Sequence, residues 1–402
     1  MNYIPLSKLF YQNKEEYQKQ LVTRRSSPST VLLPFNIRSD QAYYLVLPEF
    51  SLLQGNVFSS YLEFHRIFYT LPEAARDFYS RGCLVDEVVL TNELEGVHSS
   101  RRDILTVLSS EDKPGNKLRF DGLIKKYLLL TEYQADVPVT SLKDIRELYD
   151  EIVAPEIPND DLPDGEYFRK ETVYVHSATD RVKHTGVVGE SHINECMQQA
   201  LTILNDTKQT PLLRIAVFHY LFGYIHPFYD GNGRLSRFIS SVFLAKEFDP
   251  IVAFRLSYTI KQNKKKYYEA FDLVNDRNSG GDITPFIILF SEIIAESISS
   301  MKDEIEEVSA QLDYYRLMLK DIQNKDYQNY IFFLVQNTLF SSDPLTIKDL
   351  MSISRKSDPT VRKIISELSE LGVPLIKSKH GRADAYSLDL NALEDFLKNH
   401  KL

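Results

Sequence analysis

The chain has 402 residues, 43% of them hydrophobic and 26% charged, which excludes an intrinsically disordered protein and exceeds what one hydrophobic core usually serves. Its 47 Lys plus Arg against 56 Asp plus Glu, a formal charge of −9, argue against a protein whose main task is to coat nucleic acid or an anionic membrane. Two cysteines, Cys83 and Cys196, lack metal-ligand spacing and cannot staple a chain this size, so they read as buried thiols in a reducing compartment.

The beginning, Met1-Asn2-Tyr3-Ile4-Pro5, lacks the basic-then-apolar pattern of a signal peptide, and the most apolar stretch, Leu212 to Ile225, is short and carries Arg214 and His219. We therefore expect a soluble, cytoplasmic protein with no membrane partner. Residues 1–30 are polar and charged, an arm or a loosely packed lead-in, and residues 1–40 are set apart on that basis. From about Tyr43 the pattern turns helical: Tyr61, Phe64, Phe68 and Leu71 recur every three or four residues, as one buried helix face requires.

Three prolines and several acids between Ala154 and Gly165 make a connecting loop. After it, the β-prone runs Thr172–Val175 and Val187-Val188 flank Ala178-Thr179-Asp180 and predict a short hairpin within a helical protein. Helices are expected at 191–204, at 211–225 as the buried centre, at 234–247, at 264–275 and at about 283–322. From about Tyr327 the pattern is a helix to Asn337, then Thr346–Leu350, a second helix at 359–371, and two strands between Ile376 and Leu388 around Gly381. That order resembles a winged helix, with Arg362 and Lys363 on its recognition helix and Arg382 in the wing.

The densest chemistry is His226-Pro227-Phe228-Tyr229-Asp230-Gly231-Asn232-Gly233-Arg234-Leu235-Ser236-Arg237, between two predicted helices. A histidine ending a buried helix can stay neutral and act as general base near pH 7. Asp230 is a hard oxygen ligand of the type Mg²⁺ uses beside phosphate oxygens. Gly231 and Gly233 allow successive backbone N–H groups to face an anion at a helix N-terminus. Arg234 and Arg237, three apart, fall on one helix face and can clamp a polyphosphate; at that end they oppose the macrodipole, which an anion would relieve.

These twelve residues resemble the signature of the Fic family, His-x-Phe-x-Asp/Glu-Gly-Asn-Gly-Arg-x-x-Arg, matched at every fixed position. The resemblance spans about residues 85–290 and includes Tyr267-Tyr268, Asn275 and Gly281–Phe286. It implies a mainly α protein: a helical region over 41–135, a Fic-type bundle with a β-hairpin flap over 136–322, and a winged-helix-like domain over 323–402. It further implies transfer of AMP from ATP to a Ser, Thr or Tyr hydroxyl of a target protein, with release of pyrophosphate.

In that reading His226 deprotonates the hydroxyl, Asp230 holds Mg²⁺, and Gly231, Asn232 and Gly233 cradle the phosphates. Arg234 neutralises developing charge and Arg237 fixes the γ-phosphate. Tyr268 and Asn275 resemble the adenine-side positions, with helix packing as the rival reading for the tyrosine, and Phe228 reads as a core anchor. The hairpin takes the place of the family's flap, with Thr185, Gly186 and Val187 chosen as the edge that clamps the target.

Upstream, Thr91-Asn92-Glu93-Leu94-Glu95-Gly96 fits the family's inhibitory pattern, Ser/Thr-x-x-x-Glu-Gly/Asn. It implies that Glu95 occupies Arg237 and slows the enzyme, and that Glu95 with His226 could also remove AMP. Three alternatives stay open: a DNA-binding regulator whose nucleotide site only senses ATP, transfer of another phosphate-containing group, and a plain ATPase. Residues 345–402 hold ten Lys plus Arg against eight Asp plus Glu, so DNA and protein both remain candidate partners of the tail, and a homo-oligomer is compatible with the text.

Overall fold

The computed structural model describes residues 3–109, 118–131, 137–176, 182–380 and 383–399. Ala178, Thr179 and Asp180 in the hairpin tip, and Gly381 and Arg382 in the wing, lie outside them. The chain is mainly α-helical with small antiparallel sheets, and it divides into two compact units, Met1–Ser59 with Val85–Ile298, and Ser60–Leu84 with Ser299–Leu402.

The first unit opens with α1 (Leu6–Gln12) and α2 (Lys14–Arg25), the latter capped by Asn13, whose side chain accepts from the N–H groups of Glu15 and Glu16. The expectation of a loose arm is corrected here. Leu6, Leu9 and Tyr17 form a buried cluster with Phe10 and Leu21, Ser7 Oγ donates to Leu273 O at 3.0 Å, and Arg24 pairs with Asp282 at 3.1 Å out of water. Of the charges that made the segment read as solvated, Lys14, Glu15 and Arg25 are exposed while Arg24 is buried.

β1 (Thr30–Ile37) and β2 (Asp40–Leu45) follow as a hairpin with a bulge between Leu32 and Asn36. Tyr43, expected to begin a helical region, is instead a strand residue: its N–H donates to Gly281 O and its carbonyl accepts from Ile283 N–H, both at 2.9 Å. Helical structure resumes at α3 (Pro48–Phe68), continues through α4 (Glu73–Leu94), α5 (Arg101–Ser109), α6 (Asp121–Leu129) and α7 (Leu142–Ile152), and leads to a second hairpin, β3 (Tyr174–His176) with β4 (Val182–Thr185).

Val187 and Val188 lie beyond β4. Gly186 N–H donates to Val173 O, Val187 N–H donates to Ile225 O, and Val187 O accepts from Arg169. With those groups committed inside the unit, Gly186 N–H and both backbone groups of Val187 are not free to pair with a target, and Thr185 is what remains of the expected clamping edge.

α8 (Glu190–Leu204), α9 (Pro211–Ile225) and α10 (Asn232–Glu247) form the centre. α9 starts with proline at its first turn, where the missing N–H costs nothing, and is buried nearly all round. Arg214 survives in that apolar setting because Nη1 donates to Leu204 O at 2.8 Å and Nη2 pairs with Glu247. Short helices α11 (Pro250–Ala253) and α12 (Leu256–Gln262) lead to α13 (Lys264–Asn275) and the long α14 (Thr284–Met318). α14 is long and apolar enough to cross a membrane by length and composition, yet its Phe286, Ile287, Phe290, Ile293 and Ile294 are buried.

The second unit holds α15 (Lys325–Phe340), β5 (Leu345–Thr346), α16 (Ile347–Ser354), α17 (Asp358–Glu370), β6 (Leu375–His380), β7 (Ala383–Leu388) and α18 (Leu390–Asn399). The strands pair in the order β5-β7-β6. Thr346 and Asp349 make a reciprocal capping box at the head of α16, and α17 buries Val361, Ile364, Ile365 and Leu368 at helical spacing.

Candidate active site

α9 ends at His226, which adopts the left-handed conformation (φ 53°) while its N–H still donates to Phe222 O at 2.9 Å. The chain therefore turns sharply and enters α10 six residues later. Asn232 shapes this loop with its side chain, accepting from Phe228 N–H at 2.9 Å and donating to Phe228 O at 2.8 Å. Phe228 is stacked 3.8 Å from Tyr149 and fully buried. The amide of Asn232 is thus a brace for the loop, so only its backbone is left for the cradle expected of it.

Gly231 has φ +79°, and a Cβ there would meet Val153 Cγ1 at 2.1 Å, so both the turn and the space demand glycine. Gly233 stands in the first turn of α10, where a Cβ would come within 2.1 Å of Glu95 Oε1. A carboxylate therefore already sits against the N-terminal turn, where unpaired N–H groups and the helix dipole favour an anion.

The same carboxylate reaches Arg237. Nη1 donates to Glu95 Oε1, Nε to Thr91 Oγ1 and Nη2 to Thr91 O, each at 2.8 Å. Arg237 is 1% exposed and Glu95 23%. Burial alone would lower the arginine's pKa; the charge and hydrogen bond of Glu95 raise it overall. Thr91 lies in the last turn of α4 and Glu95 in the turn just past its end; Glu87, one turn before Thr91, is fully buried and accepts from Tyr127 OH, Ser257 N–H and Ser257 OH at 3.0, 2.8 and 2.6 Å. Burial pushes the Glu87 carboxyl up to about 7.

A cavity of about 500 Å³ brings together His226, Asn232, Gly233, Arg237, Tyr268, Asn275 and Glu95. Burial pushes the His226 imidazole down to about 4, so it is neutral at pH 7, and Nδ1 lies 3.4 Å from Gly223 O. A proton held on Nδ1 leaves the Nε2 lone pair as acceptor. Asn275 accepts from Tyr220 OH at 2.8 Å, and the exposed Tyr268 and its buried neighbour Tyr267 both line the cavity.

Asp230, Gly231 and Arg234 do not line this cavity. Asp230 is exposed and accepts from Gly231 N–H at 2.5 Å. Arg234 is 2% exposed and its Nε has no hydrogen-bond partner among the described residues. A buried guanidinium N–H left unpaired beside a glycine cradle fits a phosphate group, and a lone accessible carboxylate fits Mg²⁺, which completes its shell from phosphate and water. No cluster of three or more His, Cys, Asp or Glu suited to a metal occurs among the described residues.

Residues 139–244 match the family model for the Fic/DOC family. This chain carries a Fic/DOC domain. Two curated relatives are both named "Protein adenylyltransferase Fic": the Drosophila virilis protein is 30% identical over 161 residues, 39% of this chain and 29% of its own length, and the Aedes aegypti protein 31% identical over 151 residues, 37% and 26%. The chain thus spans less than a third of the length of either. The solved structure of a Fic family protein from Desulfovibrio desulfuricans G20 superposes with a TM-score of 0.51 at 17% identity, covering 90% of this chain and 99% of that one; at that identity the likeness is one of fold.

Arg169 gave no signal in the sequence, yet it organises the Fic/DOC site. Fully buried, it donates to the carbonyls of His226, Glu171, Val187 and Ile225 at 2.5 to 3.3 Å, joining the flap hairpin to the histidine loop. Its partners are backbone oxygens up to 57 residues away, which no local pattern reveals. Lys183, His184, Lys264 and Asp272, also absent from the sequence-based set, line the cavity.

Proposed function

We propose that this protein is a protein adenylyltransferase held in check by Glu95. A target hydroxyl oxygen attacks the α-phosphorus of ATP, the bond to the bridging oxygen breaks, and pyrophosphate leaves. The hydroxyl proton passes to His226 Nε2, which is neutral and faces the cavity. The N-terminal turn of α10, with Arg234 and Arg237, binds the phosphates and disperses the charge that develops in the transition state. Mg²⁺, held at Asp230, would supply charge neutralisation between the phosphates.

The observation that carries this reading is the position of the Glu95 carboxylate, on the N-terminal turn of α10 and on Arg237, in one cavity with His226. A guanidinium cannot give one bidentate face to a carboxylate and a phosphate at once. ATP therefore has to displace Glu95. The test is mass spectrometry of lysate proteins incubated with ATP and Mg²⁺: the Glu95→Gly protein should add AMP to Ser, Thr or Tyr of a target, and His226→Ala should add none. A phosphate or UMP adduct, or free phosphate release with no adduct, overturns the reading.

Because Glu95 and His226 share the cavity, the same site supports hydrolytic removal of AMP, with Glu95 positioning water and His226 protonating the departing side chain. Either substitution should then stop release of AMP from a purified modified target. For the tail, α17 holds Arg362 and Lys363 against Asp358, Glu367 and Glu370, and both cations pair within the helix. Since phosphate contacts dominate DNA affinity, this balance favours a protein partner; a salt-dependent gel shift with the full chain would reverse that assignment.

A further inference from the structure

β4 stands between two cavities of the first unit. Its Lys183 and His184 line the one already described, whereas Thr185, where the strand ends, and Gly186 to Val188 line a second, open groove of about 530 Å³. The partition is thin. His184 Nε2 lies 2.6 Å from Tyr224 O, and a Cβ on Gly186 would come within 3.2 Å of His226 Cβ. The groove therefore begins beside the histidine that the proposed reaction uses, while none of its own side chains takes part in that reaction.

α8 forms one wall, where His192, Glu195, Cys196 and Gln199 recur at helical spacing and face the groove together. Cys196, Phe35 and Tyr224 are buried and make the floor, the last two rings meeting edge-on at 5.6 Å. The β1–β2 hairpin forms the other wall and places Arg38 in it. Arg38 sits at the hairpin turn with φ 55°, a left-handed conformation that glycine or asparagine adopts more readily. Its N–H donates to Tyr224 OH at 2.8 Å and its Nε to Asn275 O at 3.2 Å, so the guanidinium is pinned. Arg38 and Glu195 are both exposed, and neither has an ion-pair partner among the described residues.

A target whose hydroxyl reaches His226 has to lie across the end of β4, and its chain then enters this groove. From His192 to Gln199 the wall rises about 10 Å at the helical rise, the span of about three residues of extended chain. Successive side chains of an extended chain point to opposite sides, which matches a groove with a cation on one wall and a carboxylate on the other.

We propose that this groove binds the stretch of target chain next to the modified hydroxyl, in extended form, and selects an acidic side chain for Arg38 and a basic one, on the neighbouring residue, for Glu195. The inference rests on the reading that a protein hydroxyl is the acceptor at His226. Exposed ion pairs contribute little to tightness, so the groove acts on the choice among targets.

The experiment measures AMP incorporation from α-labelled ATP and Mg²⁺ by the full chain carrying Glu95→Gly. Its probes are synthetic Ala/Gly peptides with one central Ser, Thr or Tyr and an adjacent Glu and Lys, in either order, at each position within three residues of it. One placement should be preferred about fivefold over the uncharged peptide, the size of one exposed ion pair. Arg38→Glu combined with Glu195→Lys should transfer that preference to the reversed order at the same position, with ATP binding unchanged. Glu195→Lys alone, on the wall away from Asn275, should lose the preference for the basic residue.

A preference that does not reverse, or an equal loss on every peptide together with weaker ATP binding, would overturn the groove's role. So would a charge swap that alters the sedimenting mass and leaves the preference in place, since the groove would then seat a second copy of the chain. Transfer to lysate proteins but to no peptide would overturn it as well. Absence of transfer to peptides and lysate proteins alike would instead overturn the reading on which the inference rests.

Discussion

At the residue scale the decisive group is His226. Its left-handed cap conformation and its place under the flap backbone leave His226 half-buried at the cavity wall, and burial depresses its pKa to about 4. The form able to accept a proton is therefore present above about 4 and is lost as the pH falls through that value. In the Glu95→Gly protein, kcat/KM for AMP transfer should stay level from pH 8 down to about 5 as far as this group is concerned. An acid limb centred near 6.5 would mean an imidazole in contact with bulk solvent and would contradict the structure.

The motif around His226 was legible because its chemistry is contiguous: base, carboxylate, glycine turn and two arginines fall within twelve residues. The roles within it were less so. Asn232 spends its amide on Phe228, and three of the four carbonyls that Arg169 engages, those of Val187, Ile225 and His226, are 18 to 57 residues distant. Such networks are set by packing, which periodicity does not encode.

Among the elements, the proposed brake is carried by α4 and the turn after it. Glu87 and Thr91 lie one turn apart on one face of α4, and Glu95 follows in the turn that ends the helix. The first engages Ser257 and Tyr127, the other two Arg237. Glu87 accepts three bonds in a place without water, so Glu87→Ala leaves a phenol, a hydroxyl and an N–H buried and unpaired. It should lower stability by about 3 kcal/mol and raise basal AMP transfer, because the helix that presents Glu95 loses its anchor. Thermal melts and labelled-ATP assays on one preparation check both; destabilisation with no gain in transfer would show that α4 keeps its register without Glu87.

The flap shows a different limit of sequence reading. The β-prone run before it located β3 to within two residues, whereas the second run, Val187-Val188, was misplaced because the bond from Val187 N–H to Ile225 O draws that segment onto the core. β1 was missed for another reason. Leu33, Phe35 and Ile37 alternate with exposed neighbours as a half-buried strand should, but Pro34 and the polar lead-in masked the period.

For the whole molecule, the finding with most consequence is that the N-terminal segment belongs to the unit that carries the candidate active site. Arg24 and Asp282 pair in a buried setting, where removing one partner strands the other's charge. Arg24→Ala should therefore cost about 3 to 5 kcal/mol, read as a lowered midpoint in urea with little change in slope. A loss under about 1 kcal/mol would return residues 1–30 to the loose arm their composition suggests. The helix order of the core was legible, from the buried centre Pro211–Ile225 to the following Lys264–Asn275, because long apolar periods survive any tertiary context.

The central claim is that one anion position is contested by Glu95 and the terminal phosphate of ATP. The most direct measurement is the initial rate of AMP incorporation from α-labelled ATP by the wild-type, Glu95→Gly and Glu95→Gly/His226→Ala proteins, side by side. The account predicts a rise of about tenfold or more on removing Glu95, the equivalent of one charge-assisted hydrogen bond, and its abolition when His226 is also removed. Equal incorporation by wild type and Glu95→Gly, or transfer that survives loss of His226, would contradict it.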